Sequence, residues 1–265
     1  MKPKTEELLY LLLWTCDMLI RPTFRNLSNS FETWAYRNGL SRQLVELERR
    51  KLIESQDGAN RGPDVDPRVF RLTEAGQLHA LGGRDPETRW RRGWDGRWRM
   101  VLFDLPNAQV TVRNRLRRYL RNQGFGFLQN SVWISPDPMQ TEKEILTGSH
   151  VNVESLILLE ARPCAGESDQ EIVFGAWDFP AINRRYELHR KVLRACPART
   201  IRDIATASAV RKWASAERLS WLEAVSIDPL LPAVLLPPDY LGRIVWEQRL
   251  KTLRRVADQI RSFLS

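Results

Sequence analysis

A chain of 265 residues exceeds what one small core needs and is expected to fold as two or three domains, at about 100–200 residues each. Its three cysteines, Cys16, Cys164 and Cys196, lie far apart without CxxC spacing, which suggests neither a disulfide framework nor a zinc site and fits a reducing, cytoplasmic compartment. The net charge of +9, from 41 Lys+Arg against 32 Asp+Glu, favours a polyanionic partner.

No stretch approaches the ~18 apolar residues of a membrane span, so no membrane partner is expected. Lys2 and Lys4 ahead of Leu8 to Trp14 mimic a signal peptide, but Glu6, Glu7 and Asp17 break the pattern and no small-residue cleavage site follows. The charge is uneven along the chain. Residues 1–80 carry 12 basic and 11 acidic groups, 81–130 carry 11 and 4, 131–180 carry 2 and 9, and 181–265 carry 16 and 8.

Apolar residues at helical spacing from Glu6 to Leu19, closed by Arg21 and Pro22, predict a first helix. From Thr23 to Lys51 two readings are open. One is a short helix and then a long one capped by Asn29 or Ser30; the other is two similar helices parted by a turn at Asn38 and Gly39. The stripe Tyr36, Leu40, Leu44, Leu47 favours the long helix, and Ser41 and Arg42 lie off that stripe in both. Strands at Leu52–Ser55 and Val69–Leu72 flank a polar loop, and Thr73 caps a helix through Ala75 and Leu78. Three helices, a hairpin and a closing helix make a winged helix-turn-helix over residues 1–82, with one helix for the major groove and the hairpin for the backbone.

Residues 83–96, rich in Arg, Trp and Gly, read as a linker. Beyond them the rhythm changes: strand Trp98–Phe103, helix Val110–Asn122, strands Gly124–Leu128 and Ser131–Ser135, helix Met139–Leu146 and strand Ser155–Leu159. The order βαββαβ over 97–176 is the ferredoxin-like unit, and Glu171–Phe174 is expected to add a strand. Residues 177–265 read as a helical domain, with helices at Ile182–Leu193, Thr200–Val225 and Tyr240–Phe263. The prolines of Asp228–Pro238 impose an extended connection between the last two. The fold class is therefore α+β, in three parts.

The strings WDGRW (Trp94–Trp98), VLFDLP (Val101–Pro106), RNRLRRYL (Arg113–Leu120), GFGFLQNSVWISP (Gly124–Pro136) and DPLLPAVLLPPDYLG (Asp228–Gly242), followed by Trp246, resemble the phenylacetate-catabolism repressors called PaaX over nearly the whole chain. AYRNGLSR (Ala35–Arg42) is similar to that family's recognition helix, with about one extra helical turn before the strand. The resemblance implies a homodimeric repressor that binds a palindromic operator in double-stranded DNA and is released by an aryl-CoA thioester. It also implies a central domain similar in fold to the small CRISPR-associated nuclease that works beside the integrase in spacer acquisition.

Candidate base and backbone contacts are Arg37, Asn38, Ser41 and Arg42 on the groove-facing helix, since Arg bonds guanine and Asn adenine bidentately, with Arg61 and Arg68 on the wing. Each is also an ordinary solvated polar position. Arg113, Arg117 and Arg121 form a positive stripe that reads as a solvated face, a DNA backbone contact or a dimer pairing surface. An effector pocket is expected between the central and helical domains, lined by Trp133, Trp177, Arg184 and Tyr186, with Arg184, Arg185 and Arg190 available for CoA phosphates. Asp104, ending the first central strand, matches the place of the nuclease's metal ligand. It supports the rival reading, a metal-dependent nuclease or nucleic-acid-processing factor, although no second carboxylate follows within a few residues. His79, His150 and His189 are scattered, no other catalytic motif appears, and no enzyme activity or cofactor is expected.

Overall fold

The computed structural model describes residues 40–57, 68–80, 83–103, 110–129, 132–139, 156–197 and 204–264. The first helix, the hairpin tip, Asp104, the Met139–Leu146 helix beyond Met139, and His150 lie outside these residues. Two compact units form: one gathers the described parts of Met1–Arg84, Arg185–Val225 and Leu241–Ser265, the other Asp85–Arg184 and Ser226–Tyr240.

In the first unit, helix α1 (Leu40–Arg49) buries Leu44 and Leu47 and packs on strand β1 (Ile53–Asp57). It stops in a helix-ending motif: Leu52 N–H donates to Leu47 O at 2.9 Å and Lys51 N–H to Glu48 O at 2.8 Å, with Lys51 at φ 56. Strand β2 (Arg68–Leu72) runs antiparallel to β1, Ile53 opposite Leu72 and Asp57 opposite Arg68. Helix α2 (Glu74–Ala80) then starts at Thr73, whose hydroxyl accepts from Gly76 N–H at 3.0 Å and donates to Lys51 O at 2.7 Å. A Cβ at Gly76 would stand 1.9 Å from Leu52 O, so only glycine allows this approach.

The second unit opens with helix α3 (Pro86–Arg91), inside the stretch expected to be a linker. Asp85 caps it, accepting from Glu87 N–H at 3.0 Å, and Pro86 occupies the first helical position. Strands β3 (Trp98–Phe103), β4 (Gly126–Gln129), β5 (Val132–Ser135) and β6 (Leu156–Ala161) form one antiparallel sheet in the order β4-β5-β3-β6, the ferredoxin-like arrangement. Helix α4 (Val110–Asn122) lies on one face, where Val101, Phe103, Leu116, Leu120, Phe125 and Trp133 make the core.

Helix α5 (Asp169–Ala176) packs on β4, and here the expected strand Glu171–Phe174 is corrected. Ser168 and Glu171 form a reciprocal cap: Glu171 N–H donates to Ser168 Oγ at 3.2 Å, and Ser168 N–H donates to Glu171 Oε2 at 2.7 Å. That pair starts a helix before the β-branched run can extend. A Cβ at Gly126 would lie 2.6 Å from the Trp177 ring and 2.7 Å from Ala176 Cβ, so the helix seats only on glycine.

The remaining helices are α6 (Phe179–Arg194), α7 (Ile204–Ile227) and α8 (Gly242–Leu264). Between α7 and α8, the proline-rich segment forms no α-helix, but it is not simply extended: it holds Leu230 at φ 50, a short 3-10 helix, Ala233–Leu235, and a turn at Pro238 and Asp239. No helix among the described residues is long and apolar enough to cross a membrane.

Candidate functional site

Of the residues expected to meet DNA, Arg37, Asn38 and Arg61 lie outside the described residues. Ser41 and Arg42 fall in the first turn of α1, and Arg68 opens β2 opposite Asp57. The helix and ribbon that carry them share a small core of Leu44, Leu47, Ile53 and Leu72, each side chain contributing about 1.5–3 kcal/mol by burial. At the far end of α1, Glu46 accepts from Arg49 at 2.9 Å and from Arg50 at 2.6 Å. Hydrogen bonds from Arg50 and then Arg49 hold the Glu46 carboxyl below the usual carboxylate range.

Two of the expected effector residues, Trp133 and Trp177, lie on different faces of the central sheet. Trp133 is buried on the α4 side of the sheet, opposite Val101, whereas Trp177 packs at Gly126, opposite Ile134 on the other side. Trp177 donates its indole N–H to Gly124 O at 3.1 Å. Arg184 is exposed on α6, and Tyr186 is fully buried against Trp221, ring centroids 6.3 Å apart.

Sequence reasoning missed a polar cluster inside the helical part of the first unit. Glu217 on α7 and Arg249 on α8 sit within stripes of buried apolar residues and are themselves fully buried. Arg249 donates from Nε to Glu217 Oε1 at 2.7 Å and stacks on Trp221 at 4.6 Å and on Trp246 at 5.5 Å. His189 approaches the same carboxylate at 3.5 Å. Burial, aided by Arg249, drives the His189 imidazole down to about 3, so the ring is neutral at pH 7. Burial raises the Glu217 carboxyl and the Arg249 guanidinium opposes that rise. Glu217 Oε2, both His189 ring nitrogens and the indole N–H groups of Trp221 and Trp246 have no hydrogen-bond partner. The one signal for this cluster was a charge of each sign interrupting an apolar stripe.

Residues 91–173 match the family model described as the PaaX protein central Cas2-like domain. This stretch is similar to the central domain of the PaaX family. Among solved structures, the uncharacterized protein Rv0674 from Mycobacterium tuberculosis is similar, with a TM-score of 0.58 and 18% identity over 96% of this chain and 97% of that one. At that identity the likeness speaks for the fold alone. A search of curated proteins gave no match.

The PaaX-like strings have structural reasons. In WDGRW, Gly96 adopts φ 73, Trp94 donates to Arg97 O at 3.1 Å, and Asp95 holds the buried Arg99 at 2.7 Å. Trp98 donates its indole N–H to Asp169 at 2.8 Å, tying β3 to the start of α5. In DPLLPAVLLPPDYLG, Asp228 accepts from Leu230 N–H at 2.8 Å and from the Tyr240 hydroxyl, while Arg92 donates to Leu230 O and pairs with Asp137. Tyr240 meets Trp90 and Phe179 edge-on at 6.1 and 5.8 Å. The C-terminal string, up to Tyr240, thus belongs to the same unit as residues 91–173.

Among the described residues no group of three or more His, Cys, Asp or Glu is placed to hold a metal ion. Asp104, on which the nuclease reading rests, is outside them.

Proposed function

We propose that this chain is a sequence-specific DNA-binding transcriptional regulator of the PaaX family. It acts as a homodimeric repressor whose N-terminal helix and hairpin contact a palindromic operator, and a small molecule, of which a CoA thioester is the proposed class, releases it. The observation that carries this reading is the PaaX central domain over residues 91–173. The order of helix α1, the antiparallel β1–β2 ribbon and the Thr73-capped α2 is compatible with the last helix, wing and closing helix of that plan. In the proposed switch, operator and effector favour different arrangements of the same chain, and each shifts the population only by its differential affinity for the two. No catalytic step is part of the proposal.

The test is a gel-shift assay of the full chain with the DNA upstream of its own operon. Sequence-specific retardation without magnesium supports the regulator. Magnesium-dependent cutting that Asp104→Ala abolishes refutes it in favour of a nuclease, and absence of binding at low salt refutes any DNA-reading role.

A further inference from the structure

The central domain carries a charged surface that the winged-helix reading leaves unused. Helix α4 contains five arginines and no acidic residue in 13 positions. Leu116 and Leu120 anchor it in the core. At about 100° per residue, Arg117, Arg121 and Arg118 fall within about 100° of arc on the side away from those leucines. Arg118 and Arg121 are exposed and Arg117 is half-buried. Arg121 also lies over the Trp133 ring at 5.7 Å.

Several described carboxylates of the same unit are committed elsewhere. Asp95 and Glu160 hold Arg99 and Arg97, Asp137 holds Arg92 and Arg89, and Glu87 holds Arg91. Asp169 accepts from Trp98, and Glu171 caps α5. Among the described residues, Arg117, Arg118 and Arg121 form no ion pair. Three like charges gathered on one helical face without counter-charge repel one another, and a run of phosphates relieves that repulsion.

We infer that the exposed face of α4 is a second DNA-contacting surface, which neutralises backbone phosphates of duplex DNA and adds affinity without base specificity. The inference rests on the DNA-binding reading and deepens it. Guanidinium groups suit phosphate oxygens because their N–H forks bond them in pairs. Arg117 and Arg121 are separated by about 6 Å along the helix axis, so neighbouring phosphates of one strand fall within reach of both.

The experiment measures binding of the full chain to two fluorescent duplexes, its own upstream DNA and a scrambled one, between 50 and 200 mM salt. The variant Arg117→Gln/Arg118→Gln/Arg121→Gln removes the charge and keeps helix-forming side chains. With about 0.9 counterions released per phosphate, the slope of log K against log salt is expected to fall by about 2.7 on both duplexes. The affinity lost between the two salt levels then shrinks about 40-fold relative to wild type, while the ratio of operator to scrambled affinity stays unchanged.

A wild-type slope retained by a variant with unchanged circular dichroism overturns the α4 surface. So does an unchanged slope with lost self-association, which assigns the face to an acidic surface of a second copy. If wild type binds neither duplex, the regulator reading itself fails. Should the triple variant not fold, Arg118→Gln, at an exposed position, is expected to lower the slope by about 0.9, and an unchanged slope again refutes the surface.

Discussion

Replacing Arg249 with leucine strands a carboxylate in the interior. Glu217 is fully buried, its Oε1 accepts from Arg249 Nε at 2.7 Å, and its Oε2 has no hydrogen-bond partner. Breaking such a pair by removing one partner costs about 3–5 kcal/mol, and loss of the stacking on Trp221 and Trp246 adds about 0.5–2 kcal/mol. Substituting both residues, as Glu217→Leu/Arg249→Leu, removes the uncompensated charge. The double variant is therefore expected to recover at least about 2 kcal/mol relative to Arg249→Leu.

The assay is a urea titration at pH 7 followed by far-ultraviolet circular dichroism, run as a double-mutant cycle. The pH response has a definite sign. Without Arg249 the buried Glu217 carboxyl rises further, and a group whose folded pKa is raised loses its stabilising contribution as pH rises through that value. The penalty of Arg249→Leu is thus expected to be larger at pH 7 than at pH 5. A loss below about 1 kcal/mol, or a double variant no more stable than the single one, refutes the description of this pair.

His189, held down to about 3 by burial and Arg249, favours the folded state when neutral. This contribution is present above about pH 6.5 and is lost as pH falls toward 3, at up to about 1.4 kcal/mol per pH unit. His189→Leu is expected to flatten that acid slope in urea midpoints; equal slopes would contradict it. Gly126→Ala pushes a methyl against the Trp177 ring at 2.6 Å, and a loss of about 1–3 kcal/mol is expected in thermal unfolding of the full chain. Ser168→Ala removes the cap of α5 and is expected to cost about 1 kcal/mol, with Ser168→Asp restoring most of it in the same measurement.

The central sheet and its helix were legible because their patterns are unambiguous. Trp98–Phe103 is apolar almost throughout and stops before Asp104 and Pro106, and Val110–Asn122 places Leu116 and Leu120 on one face of a charged helix. Glu171–Phe174 misled because Ile172 and Val173 favour strand, whereas the deciding feature was the Ser168 and Glu171 pair a few residues earlier. Asp85 and Pro86 signal the start of α3 in the same way, inside a stretch whose Arg and Gly content reads as linker. The buried pair of Glu217 and Arg249 joins helices 32 residues apart, and charge in a linear sequence reads as solvent-facing. Among the expected effector residues, Trp133 and Trp177 lie on opposite faces of one sheet, because Trp133 and Ile134 alternate sides of β5 and Trp177, at the end of α5, packs on the Ile134 side at Gly126.

The most direct test of DNA reading by the N-terminal helix is quantitative binding of Arg42→Ala to operator and scrambled duplexes at fixed salt. Loss of a base contact at this first-turn position is expected to weaken operator binding about 5- to 150-fold, equivalent to about 1–3 kcal/mol, while scrambled DNA is affected little. Equal weakening on both duplexes, or none on either, would contradict base readout from the start of α1.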